Sequence, residues 1–585
     1  MLKRFFISML GAMAAFWLSL FILVFMSIVA VAVLATSALS KDTIVKGAKV
    51  LYLELQGEIP ERQDDFNVES LLDLDFQGPS LTLAQITEAL RLAADDKEVK
   101  GVYIDCKGSS LGIASRSEIV EALQKFKDAG KWVYAYSDNF MQGDYYVSTV
   151  ADKLYLNPVG MIDVHGLAAT TVFYTDVLKK LGIEVQVVKV GEFKSAVEPY
   201  IRTSMSEPSR RQTTEFLTQI WSGISGQMAE ARGVDVAQVN SWADGLSMTW
   251  APEKYVESKM VTELLYRSEV EKQLKAELNV KEDDDLPKVT PAEYLEAKGK
   301  LGNSEKKHIA VLYAVGSITD DGKSGIVATK LVPEIQKLAE NDKVKGLVLR
   351  VNSGGGSAFA SEQIWKALED FKATGKPFYV SMGDYAASGG YYISCGADRI
   401  FADAATLTGS IGIFGLIPNA KNLLTDKIGL KFETVETNRN ANFPNLYSQM
   451  TPAQAAGMQS YVERGYETFT SRVAEGRHIP IDSVKAIGGG RVWDGTTALR
   501  IGLVDEIGSL SAAINALATQ LGMDSDRYVN YPAIKDKWLD LLMGDMPSIN
   551  AQLIPQGEIR DCIKAAWELS NASPLQTRME EIIIN

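Results

Sequence analysis

Residues 97–131 and 342–376 carry one pattern twice, aligned without a gap at an offset of 245. Lys100, Gly101, Ile119, Ala122, Leu123, Phe126, Lys127, Gly130 and Lys131 recur as Lys345, Gly346, Ile364, Ala367, Leu368, Phe371, Lys372, Gly375 and Lys376. One added residue shifts the offset to 246, and Tyr145, Tyr146, Ser148, Ala151 and Asp152 recur as Tyr391, Tyr392, Ser394, Ala397 and Asp398. A chain that repeats itself in this way folds as two copies of one domain. Each copy alternates strand and helix signals. In the second, strands are expected at His308–Ala314, Val344–Val351, Phe378–Met382 and Arg399–Ala402. Helices are expected at Val327–Ala339, Glu362–Phe371 and Ala386–Cys395. Such alternation implies an α/β fold with mostly parallel sheets. Functional loops then gather at the carboxyl ends of strands, where Asn352-Ser353-Gly354-Gly355-Gly356-Ser357 lies.

Composition narrows the chemistry. Asp and Glu outnumber Lys and Arg by 74 to 60, a net charge of −14 that argues against nucleic acid as a partner. The three cysteines, Cys106, Cys395 and Cys562, are far apart and indicate neither a zinc site nor a disulfide framework. There are three histidines, His165, His308 and His478, and no H-E-x-x-H, so no metal or other cofactor is expected. Of the histidines only His165 lies in a glycine-containing loop, which leaves a Ser-His-Asp triad little to build on.

No charged residue falls between Phe5 and Ser40. About 20 apolar residues span a bilayer, and this stretch is longer. Lys3 and Arg4 precede it and favour a cytoplasmic N-terminus. The run exceeds the usual h-region of a cleaved signal peptide. An uncleaved single-pass anchor is therefore expected, with the remaining body outside the cytoplasm.

Three stretches bear on catalysis. Thr408-Gly409-Ser410-Ile411-Gly412 sets one serine between glycines in an uncharged run. Its plain reading is a buried strand and turn; its chemical reading is a gripped nucleophile. Gly354-Gly355-Gly356 lacks the Lys-Ser/Thr ending of a phosphate loop, so its backbone N–H groups suit an oxyanion hole, or simply a tight turn. Lys194 follows a strand expected at Glu184–Lys189 and sits among Phe193, Ala196 and Val197. Burial lowers a lysine from its usual pKa of about 10.4, leaving an amine able to take a hydroxyl proton. Comparing the copies sharpens this. Ser410 aligns with Val164, Gly355 and Gly356 with Ser110 and Leu111, and Lys194 with Asn440. One copy holds the amine and the other the hydroxyl and glycines, which points to one site shared between them.

These residues resemble the signal peptide peptidase A (protease IV) family in its long, duplicated form. The motifs are Gly-x-x-Lys-Ser-Ala-Val-Glu-Pro at 191–199, Asn-Ser-x-Gly-Gly-Ser at 352–357, Ala-Ser-Gly-Gly-Tyr-Tyr at 387–392 and Thr-Gly-Ser-Ile-Gly at 408–412. The likeness runs from the anchor to about residue 515. It implies two tandem Clp protease/crotonase-like repeats and a serine protease that degrades cleaved signal peptides. Ser410 would be the nucleophile and Lys194 the general base. The N–H groups of Gly355 or Gly356 and of Ser410 would form the oxyanion hole. It further implies a homotetramer at the bacterial inner membrane, with its body on the periplasmic side and its partners peptides and the lipid bilayer. The family usually has proline where this chain has Gly354, which frees φ there. A nearby hydroxyl orients the family's lysine; Thr434 and Thr437, on an expected strand, are candidates.

The implied organisation is an anchor at 1–45, a lysine-bearing repeat at 46–280, an exposed connector at 281–306 with a short helix, a serine-bearing repeat at 307–525, and a tail at 526–585 suited to packing or subunit contact. Two rivals stand beside the protease: a non-catalytic crotonase-like membrane scaffold, and a coenzyme A-dependent acyl-transfer enzyme. A location outside the cytoplasm disfavours the second.

Overall fold

The structure, a computed structural model, describes residues 17, 20–21, 50–62, 81–298, 306–322, 324–533, 576–579 and 583–584. The expected membrane anchor lies outside the described residues except for Trp17, Leu20 and Phe21. Among the described residues no helix is long and apolar enough to cross a membrane.

The first copy is built on β1 (Val50–Glu58), β2 (Gly101–Ser110), β3 (Trp132–Ser137) and β4 (Lys153–Leu156), parallel and adjacent in that order. Helix α1 (Ile113–Asp128) crosses over from β2 to β3. Strand β5 (Glu184–Lys189) leaves this sheet altogether, and the long helix α2 (Glu207–Arg232) follows.

The second copy repeats the plan. Strands β6 (His308–Val315) and β7 (Val344–Ser353) lead to β8 (Gly355–Ser357) and helix α3 (Ala358–Ala373). Strand β9 (Phe378–Ala387) then runs into the short helix α4 (Gly389–Ser394), followed by β10 (Leu407–Gly409), β11 (Phe414–Asn419) and helix α5 (Pro452–Arg477). The main sheet places β6, β7, β9 and β10 side by side and parallel. Val344–Ser353 forms a central strand because its run Leu347-Val348-Leu349 is apolar on both faces, and all three side chains are fully buried. Helix α3 starts where Ser357 Oγ accepts the Ala360 N–H, and buries Ile364, Leu368 and Phe371 at helical spacing.

The copies are locked together by buried charge. Arg350 of β7 is fully buried and reaches Glu61 at 3.0 Å and Glu118 of α1 at 2.6 Å, both from the other copy. Beside it, Ser115 of α1 donates its N–H (3.1 Å) and hydroxyl (2.6 Å) to Asp384 of β9.

Three expectations change. The exposed connector is instead built into the first copy: Lys288–Val289 pairs with β1, and the helix Pro291–Ala297 buries Tyr294 and Leu295. A helix expected from Ala386 begins only at Gly389, since β9 continues to Ala387 and pairs with β10. No strand carries Thr434 or Thr437; both are exposed, their run lacking a pairing edge. Of the described tail residues, Tyr528–Tyr531, strand β12 (Gln576–Arg578) and Ile583–Ile584 each join a sheet.

Candidate active site

A third sheet crosses between the copies. Its β5, from the first copy, pairs antiparallel with β11 of the second, from Lys189↔Phe414 to Glu184↔Asn419. The chain leaving β5 is thereby delivered against Gly488-Gly489-Gly490. Phe193 donates its N–H to the Gly489 carbonyl at 3.1 Å. A Cβ on Gly490 would come within 2.7 Å of Lys194 Cα, so only glycine allows this approach. This glycine loop was not anticipated from the sequence, although three consecutive glycines were its visible signal.

The docking buries Lys194 to 1% exposure. Its Nζ lies within hydrogen-bond reach of Ser388 Oγ at 2.8 Å, Ser410 Oγ at 3.0 Å and the Ser410 carbonyl at 3.2 Å. The lysine of one copy and the serine of the other thus meet within a single chain. The second hydroxyl on the amine is that of Ser388, not that of Thr434 or Thr437, which lie at the surface.

Ser388 was missed as a site residue. It occupies the turn from β9 into α4 with φ 55° and ψ −113°. A non-glycine residue there costs of order 1–3 kcal/mol and persists only where its surroundings over-determine it. Here the Ser388 N–H donates to Gly409 O and its carbonyl accepts from Tyr392 N–H, each at 2.8 Å. The signal was present in Ala387-Ser388-Gly389-Gly390: a serine set among small residues at a strand-to-helix turn.

Ser410 has φ 49° and donates its own N–H to the Arg491 carbonyl at 2.7 Å. That N–H, expected from the family resemblance to serve an oxyanion, is held by the Arg491 carbonyl in this structure. The Ser410 hydroxyl lies 3.4 Å from the Gly490 carbonyl, longer than an ordinary O–H···O bond.

Gly355 and Gly356 open β8, directly after Ser353 and Gly354. Gly355 has φ +99° and gives its N–H to Ser353 Oγ at 3.1 Å. A Cβ on Gly356 would stand 2.0 Å from the Ile318 carbonyl. Helix α4 packs against this loop, since a Cβ on Gly390 would meet Ser353 O at 2.6 Å. The histidines are engaged elsewhere: His165 with Asp163, His308 with Tyr531, and His478 at the end of α5. Cys106 and Cys395 are free and buried in the two cores.

The model of peptidase family S49 matches the chain twice, at residues 125–281 and 370–524. "Protease 4" of Haemophilus influenzae is 31% identical over 564 residues, covering 93% of this chain and 90% of that protein. "Protease 4" of Salmonella typhi is 34% identical over 486 residues, covering 81% and 78%. "Serine protease SPPA, chloroplastic" of Arabidopsis thaliana is 31% identical over 489 residues, covering 81% and 69%. The solved structure of a ClpP1 mutant from Listeria monocytogenes matches 34% of this chain and 91% of that one at 15% identity and a TM-score of 0.23, too weak a likeness to build on.

Proposed function

The chain belongs to peptidase family S49 and is a serine protease, and from that premise we propose that its nucleophile and base are Ser410 and Lys194, one drawn from each copy. The observation that carries this is the buried Lys194 amine held between two hydroxyls. Full burial disfavours the ammonium relative to the neutral amine. A neutral Nζ has one lone pair and two protons. The Ser410 carbonyl can only accept, so it takes one lysine proton. The two hydroxyls then divide the other proton and the lone pair between them. Among the described residues the Ser410 proton has only a long contact to the Gly490 carbonyl to compete for it, so it is readily given to the lone pair. Ser388 Oγ, at 2.8 Å, accepts the remaining lysine proton and aims the amine. The comparison of the copies and the Thr408–Gly412 motif favour the same assignment.

In this reading Ser410 Oγ attacks the peptide carbonyl while Lys194 takes its proton. The resulting ammonium gives that proton to the leaving amine. An acyl ester remains on Ser410 until water, deprotonated by the same amine, releases it. The oxyanion goes to the N–H of Gly355 or Gly356, and to that of Ser410 once it leaves the Arg491 carbonyl.

One observation favours a second reading. Ser388 stands closer to the amine than Ser410 does, on a strained strand-to-helix turn of the kind that carries the nucleophile in other hydrolases. The two serines would then exchange roles around the same lysine.

The substrates are peptides, and the family resemblance makes cleaved signal peptides the natural class. The uncharged stretch Phe5–Ser40, after Lys3 and Arg4, supports an anchor in the bacterial inner membrane with the body on its periplasmic side. Exposed apolar side chains at Val172, Val177 and Leu181 in one copy and Ile428, Leu430 and Val435 in the other support association of copies, in keeping with a tetramer.

The test is fluorophosphonate labelling followed by mapping of the adduct. Label on Ser410 supports the assignment. Label on Ser388 exchanges the two serines, and no label on either favours the non-catalytic scaffold.

A further inference from the structure

We propose that Gln576–Met579 of the chain's own C-terminal tail occupies the peptide cleft as a substrate-like strand, and must leave before a substrate enters. The inference rests on the peptidase reading and specifies how its cleft is filled.

Strand β12 lies between two walls of the site. On one side it runs antiparallel to β8, with Gly355↔Arg578, Gly356↔Thr577 and Ser357↔Gln576 as partners. On the other, Gln576 pairs with Phe414 at the start of β11, four residues beyond Ser410. The Phe414 ring is 5.8 Å from Lys194 Nζ. Beyond β12, Met579 donates its N–H to the Gly354 carbonyl at 2.7 Å, and its side chain is 6% exposed. Ile583–Ile584 then pairs antiparallel with Ala169–Thr170 of the other copy.

A peptidase holds its substrate extended, because only an extended backbone offers alternate N–H and C=O groups to a strand edge. The edge available beside the oxyanion loop is that of β8, and β12 already fills it. With β12 seated, Ser410 and Lys194 are each 1% exposed. A substrate strand needs the β8 edge that β12 holds, so the seated strand and a bound substrate exclude one another. An intramolecular strand competes at the effective concentration set by its tether.

Removing residues 576–585 opens the cleft. If the tail fills it about nine-tenths of the time, KM for a short peptide falls about tenfold on truncation while kcat holds. Thr577→Pro in the full chain removes an N–H from the strand and gives the same direction of change if truncation harms folding. Independently of turnover, a fluorescent peptide of residues 574–585 is titrated against the truncated chain carrying Lys194→Met, read by anisotropy. Saturable binding, displaced by the unlabelled peptide and about tenfold weaker with the untruncated Lys194→Met chain, supports the proposal. No binding to the truncated chain, or equal binding to both, overturns it. Should neither form turn over peptides, the peptidase reading fails and the anisotropy still decides the occupancy of the cleft.

Discussion

Lys194 Nζ lies 3.0 Å from Ser410 Oγ, although 216 residues separate them in the chain. The lysine arrives on the end of a strand that has left its own copy to pair with the other. The serine follows a strand of the second copy. Neither copy has both groups, so the contact measures how well the two are docked.

Replacing Lys194 by Met removes the only group we assign to proton transfer. Peptide hydrolysis should fall by about 10³-fold or more, with far-UV circular dichroism unchanged. A loss below tenfold would show that the base lies elsewhere.

The two serines separate by labelling. Ser410→Ala should abolish both turnover and fluorophosphonate adduct. Ser388→Ala should keep the adduct on Ser410 but form it more slowly. Its labelling rate should also begin to rise at lower pH, because the ammonium of Lys194 loses a hydroxyl that accepts from it. An unshifted pH profile would reduce Ser388 to a packing residue.

Gly490→Ala tests the glycine loop that receives Lys194. The new Cβ would come within 2.7 Å of the lysine backbone, at a glycine with φ +84°. A displacement near 1 Å at a catalytic group costs up to about 10² in rate. Steady-state assays on the folded variant should show kcat reduced and KM little altered.

Arg350→Ala leaves Glu61 and Glu118 buried without their cation. Breaking a buried ion pair from one side costs roughly 3–5 kcal/mol. Urea unfolding should show a loss of that order, and a loss under about 1 kcal/mol, the size of a surface pair, would contradict the pairing.

The same cluster makes stability depend on pH. Burial, opposed by Arg350 and reinforced by Glu61, pushes the Glu118 carboxyl up from 4.5 to about 7. Burial likewise pushes Asp403 up to about 6. A carboxyl raised on folding favours the folded state fully below its unfolded pKa, and loses that contribution as pH rises through the folded one. Between pH 5 and 8 the melting temperature should therefore fall through these groups. Glu118→Gln should match the wild type near pH 5 and exceed it at pH 8, by ~2–4 °C per kcal/mol relieved. Parallel melting curves for the two proteins across that range would refute the assignment.

Much was legible without coordinates. The repeat announced the doubled α/β plan, because apolar periodicity and its recurrence are local properties of the chain. Alignment of the copies singled out Lys194 and Ser410, which the fold brings within 3.0 Å, since what one copy lacks the other keeps. Tertiary structure decided the rest. That Ser388, rather than Thr434 or Thr437, stands on the lysine depends on where β9 ends and on backbone angles, which no residue spacing encodes. The pairing of Glu184–Lys189 with Phe414–Asn419, and the seat of Gln576–Arg578 beside Gly355–Ser357, are contacts between distant segments. Strand edges present the same N–H and C=O groups whatever their side chains, so partner choice emerges only when the whole chain is folded.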